Sequence, residues 1–159
     1  MPETDSFRHI HPRSTARIAG HPVHPMLVPV PIVCFIGAFA TDLMYLANAE
    51  AGWATASNWL LGVGLAGAAL AAVAGLADFL GDARVRALSD ALKHMLANVT
   101  AVVIEAVNLA LRLGNPDFLG STGVYLSGIV VLILLYSGWK GGELVYRRGV
   151  GVLDDETLR

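Results

Sequence analysis

Four long apolar segments, separated by short polar ones, set the pattern of this chain. They run roughly from Met26 to Leu46, Trp59 to Ala77, Met95 to Leu111 and Val124 to Trp139. Each approaches the roughly 20 apolar residues that a membrane-spanning helix needs. The pattern predicts an all-α fold: a four-transmembrane-helix bundle over residues 21–146, between a flexible N-terminal tail (1–20) and a C-terminal cytoplasmic tail (147–159). Ala47-Asn48-Ala49 imitates a signal-peptide cleavage site, but the apolar run before it is too long and Pro29 and Pro31 lie in its first turns, so a spanning helix is expected instead.

Two of the segments carry a second pattern. In the second, Gly64, Ala68 and Ala72, and beside them Gly67, Ala71 and Gly75, recur every four residues, a spacing that lets neighbouring backbones approach closely. In the third, His94, Asn98, Ala101, Glu105, Asn108 and Arg112 follow one another at spacings of three and four, which puts all six on one helix face. At 1.5 Å per residue this stripe is about 27 Å long, close to the hydrocarbon thickness. Ionisable groups at that depth are costly in lipid, so the stripe is expected to face the bundle interior. By the same rise, Asp42 on the first helix lies level with Asn108 and Arg112, and an Asp42–Arg112 pair is expected.

Composition agrees with a lipid-solvated chain: 159 residues, 55% hydrophobic and 15% charged, with a mean hydropathy of +0.58. A net charge of −2 with basic residues only in small clusters gives no footprint for nucleic acid. The single cysteine, Cys34, lies in an apolar run and reads as a small buried hydrophobe. Arg8, Arg13 and Arg17, then Arg84, Arg86 and Lys93, then Lys140, Arg147 and Arg148 occupy alternate polar segments, while residues 48–58 carry no basic residue. The positive-inside rule then places both termini in the cytoplasm of a multi-pass protein of the bacterial inner membrane.

The remaining chemistry gathers at the inner mouth. His21-Pro22-Val23-His24-Pro25 precedes the first apolar run, with Asp78, His94 and Glu143 at the same depth and Tyr136, Lys140 and Tyr146 nearby. Imidazole and carboxylate suit zinc, iron and copper, and facing imidazoles can ligate haem iron. Extended backbone before each proline separates His21 from His24 by roughly 9 Å, so the two do not easily share one small ion. A metal site of His24, Asp78 and His94 fits better, with His21 as a further cofactor-binding candidate. Two other readings stay open: a proton or ion path along Asn98, Glu105 and Asn108, and a structural role in which these side chains hold the helices in register. His9 and His11 fall in the polar tail, where no order is expected. No GxSxG elbow or HExxH helix occurs, and no catalytic residue is assigned.

HPVHPMLVPVPI, the aspartate late in the first helix, GLADF at 75–79, His94 with Asn98, and GWKGGELVYRRGVGV from Gly138 together resemble the bacterial membrane-protein family DUF2231. The resemblance spans His21 to Val152. It implies four transmembrane helices and no particular activity; relatives joined to cytochrome or Rieske-type domains imply proximity to redox chemistry. The chain has no CxxCH motif and no cysteine pair, so any redox group is expected to be non-covalent, haem b or a transition metal. Two functional classes follow. One is a redox-linked protein in which Asp78 orients an imidazole and electrons pass to a partner protein. The other is a non-catalytic subunit or conduit, whose stripe packs internally, against a second copy in a homo-oligomer, or against a partner.

Overall fold

The structure, a computed structural model, describes residues 11–152. Four spans, Val23–Asn48, Ala51–Gly81, Ser89–Gly114 and Leu119–Arg147, are each long and apolar enough to cross a membrane. The first is broken into α1 (Val23–Leu27) and α2 (Pro29–Asn48), with Pro29 in the first turn of α2. Proline has no N–H to give the preceding turn, which is why the break falls there. The second span is the unbroken α3 (Ala51–Gly81). Asp82 ends it and caps the short α4 (Ala83–Arg86), its Oδ1 accepting from Arg84 N at 2.8 Å. The third span is α5 (Ser89–Gly114), and the fourth is α6 (Val124–Gly142), extended by π-helical turns at Leu119–Gly123 and Glu143–Arg147.

Every span is longer than its apolar run. At 31 residues α3 measures about 46 Å against a hydrocarbon thickness of about 30 Å. The extra turns are polar or mixed in sequence, so hydropathy does not mark them. α5, for example, begins six residues before Met95 because Ser89, Asp90 and Lys93 are helical but polar.

Small residues set the closest helix contact. Gly64 lies under the Phe35 ring of α2, where an added Cβ would stand 2.6 Å from Phe35 Cε1, and Gly67 lies under Val30. Ala68 and Ala71 are buried with them, whereas Ala72 is exposed, so only part of the two expected stripes is an interface. Phe35, Ala38, Leu61, Ala68, Ala101 and Val130 form the central core. Val33, Val73, Leu132 and Leu135 point outward at 66–72% exposure, which is the apolar exterior that lipid requires.

One end of the bundle is covered by chain. Arg17–Ile18 and His21–Pro22 pair as a two-stranded hairpin, turned by Ala19 and Gly20 at positive φ. Gly151 N donates to Pro12 O at 3.0 Å, so the first and last described segments meet on one side of the membrane. This end, the near end below, also holds a small apolar cluster of Val85, Ala91 and Leu144. Of the tail expected over 1–20, residues 14–16 are bonded to Asp78, and residues 1–10, with His9, lie outside the described residues, as does most of the C-terminal tail.

Candidate functional site

Two polar clusters sit inside the bundle, one in each half. In the far half, Arg112 reaches inward from α5 and is 2% exposed. Its guanidinium meets Asp42 of α2 in a fork, Nη1 to Oδ1 at 2.8 Å and Nη2 to Oδ2 at 2.7 Å. Nη1 also donates to Ser57 Oγ of α3 (2.8 Å), Nη2 to Ser127 Oγ of α6 (2.9 Å), and Nε to Asn108 Oδ1 (2.8 Å). A guanidinium has five N–H donors, and these five bonds use them all. Both serines pass their own hydroxyl hydrogen on to Asp42, at 2.6 and 2.7 Å. The network therefore gathers side chains from all four spans around a single ion pair. The Asp42–Arg112 contact expected from depth is present, and Ser57 and Ser127 complete it. Ser57, the single serine of α3, and Ser127, the serine of α6 at that depth, were the signal that could have found them.

Asn108 links the network to Glu105, its Nδ2 donating to Glu105 Oε2 at 2.9 Å. There the polar chain stops. Ala101, 1% exposed, separates Glu105 from Asn98 on the same face, and no hydrogen bond among the described residues joins the two.

In the near half, two imidazoles face each other. His24 Nδ1 donates to the Ala71 carbonyl at 2.8 Å, and His94 Nδ1 donates to the Ser137 carbonyl at 2.9 Å. A carbonyl can only accept, so both rings carry hydrogen on Nδ1 and, when uncharged, a lone pair on Nε2. The ring centroids are 6.2 Å apart with the planes perpendicular. Glycines make the room: a Cβ on Gly75 would stand 2.9 Å from the His24 ring, and one on Gly141 3.2 Å from that of His94. Asn98 Nδ2 donates to His94 Nε2 at 3.1 Å and to the His94 carbonyl at 2.9 Å.

The other expected members of the inner mouth do not join this pair. Asp78 does not orient an imidazole, because backbone carbonyls do that. Its Oδ1 instead accepts from Ser14 Oγ (2.9 Å), Thr15 N (2.7 Å) and Ala16 N (2.7 Å), which fastens the N-terminal segment across the bundle end. His21 is exposed, and its Nδ1 donates to Ala19 O two residues back. Glu143 pairs with Lys140 (2.5 Å) and Arg147, and Lys140 also reaches Asp90 at 3.1 Å. Among the described residues no three His, Cys, Asp or Glu side chains converge as a metal site, so the His24, Asp78, His94 set is not assembled. Beside the near end, Arg84's hydrogen bonds hold the Asp82 carboxyl well below the usual carboxylate range, and Asp82 Oδ2 accepts from Arg13 N at 2.9 Å.

Apolar exteriors on four spans with the charged groups turned inward define a multi-pass membrane protein. The family model described as predicted membrane protein (DUF2231) matches residues 20–154, and the chain belongs to that family. No curated protein and no solved structure matches it.

Proposed function

We propose that the His24–His94 pair is the ligand site of this protein, and that its ligand is the iron of a non-covalently held haem in a redox-linked system of the bacterial inner membrane. The observation that carries the reading is the matched pair of Nδ1–H donors to the Ala71 and Ser137 carbonyls. Imidazoles that bind metal almost always give their other N–H to such an acceptor, which fixes the ring and raises the basicity of the free nitrogen. His24 and His94 would hold a haem iron through their ring nitrogens, whereas a closed metal-ion site takes four protein ligands. The bound group would supply one-electron chemistry. The chain's own residues hold the rings: Ala71 and Ser137 fix their tautomer, Gly75 and Gly141 fix their position, and Asn98 must release His94 Nε2 before that nitrogen can bind anything else.

Protein purified from its native membrane should absorb in the visible range with about one haem per chain. His24→Ala and His94→Ala should each abolish this, and His21→Ala should not. Absence of visible absorption together with absence of stoichiometric metal would overturn the proposal.

A second reading, a non-catalytic membrane subunit, is favoured by one observation of its own. Asn98 already occupies His94 Nε2, so both nitrogens of that ring have protein partners. Under this reading the pair only packs α1 against α5, and the purified protein carries no chromophore.

A further inference from the structure

Glu105 lies midway along α5 with 0% exposure, and its two oxygens differ. Oε2 accepts from Asn108, while Oε1 has no hydrogen-bond partner among the described residues. The charged groups around it are Arg112 on its own helix and Asp42 on α2; α3 and α6 bring only the hydroxyls of Ser57 and Ser127 to the same network. Arg112 has no donor left for Glu105, because one goes to Asn108 and the other four to Asp42, Ser57 and Ser127. Asp42 and Arg112 cancel in charge, so no cation remains for a second carboxylate.

An ionised Glu105 would therefore place a net negative charge inside the bundle on one hydrogen bond, and an unpaired buried charge is the costliest arrangement available to this cluster. A proton on Glu105 removes the charge and leaves one underbonded polar atom, a much smaller penalty. We propose that Glu105 is a proton-binding site in the interior of the membrane and is carried in this fold as the unionised acid. Losing that proton would set Glu105 against Asp42 for the single guanidinium, with Asn108 between them as the link. The proposal concerns the far half of the bundle and is independent of any ligand at His24 and His94.

Infrared spectroscopy of the full-length protein in lipid vesicles at neutral pH reads this directly. The carbonyl band of an unionised carboxylic acid should be present, and Glu105→Gln, which keeps the size of the side chain, should remove it. If the variant does not fold, carboxyl-13C glutamate in the unsubstituted protein serves instead, and the band should shift with that label and not with labelled aspartate. No such band, a band that survives Glu105→Gln, or one that follows the aspartate label overturns the proposal.

Discussion

Removing the Arg112 guanidinium leaves the Asp42 carboxylate at 0% exposure with two serines and no cation. Breaking a buried pair from one side costs about 3–5 kcal/mol, whereas replacing both charges together costs much less. Arg112→Met should therefore lower the unfolding free energy in detergent by that amount, and Asp42→Leu combined with Arg112→Met should recover most of it; additive losses would show that the two charges act independently. Gly75 makes a different kind of point. Its Cβ would stand 2.9 Å from the His24 ring, so Gly75→Ala should cost about 1–3 kcal/mol by overpacking and displace His24 as well. A thermal unfolding series with Gly62→Ala, where nothing lies within 4 Å of the added carbon, separates that contact from the general effect of alanine in α3. The Asp42–Arg112 pair could be read from the chain because rise per residue fixes depth. The acceptors of His24 and His94 could not be, because they are backbone carbonyls and every residue has one.

Among the elements, the hydropathy pattern located all four spans but not their ends. The turns of α3 and α5 beyond the hydrocarbon are polar or mixed, and the break at Val28 depends on Pro29 rather than on hydrophobicity. The N-terminal segment was the least readable element. It is held mainly by polar contacts, chief among them the three bonds to the Asp78 carboxylate, 62 to 64 residues away in the chain. Asp78→Ala should release the segment, and trypsin should then cleave after Arg13 or Arg17 several-fold faster than in the unsubstituted protein; equal rates would mean the fastening carries no weight. The neighbouring tie from Arg13 N to Asp82 should outlast mild acid. Because Asp82's folded-state pKa is lowered, its contribution is present above the unfolded value of about 3.9 and is lost only as pH falls through the lower folded value. Hydrogen exchange at the Arg13 amide should thus show the same protection factor at pH 5 as at pH 7. The contribution itself is small, since Arg84 is 47% exposed.

The whole molecule is asymmetric from end to end. The near end carries Arg13, Arg17, Arg84, Arg86, Lys93, Lys140, Arg147 and Arg148, while the far loops carry no basic residue apart from the buried Arg112. On the positive-inside rule we propose that the near end faces the cytoplasm. A membrane-impermeant maleimide added to intact cells should label Ser121→Cys at the far end and should label Ser89→Cys only after permeabilisation; the reverse pattern would invert the molecule. The asymmetry extends to the interior, where the far half is a closed charge network suited to holding four helices and the near half presents paired imidazoles beneath a fastened segment. Haem titration of the full-length protein in nanodiscs tests that assignment most directly. One equivalent should bind with the low-spin spectrum of two imidazole ligands, and His24→Ala or His94→Ala should each convert it to a high-spin form or abolish binding. A chain that takes up no haem, or takes it up equally well without either histidine, contradicts the account.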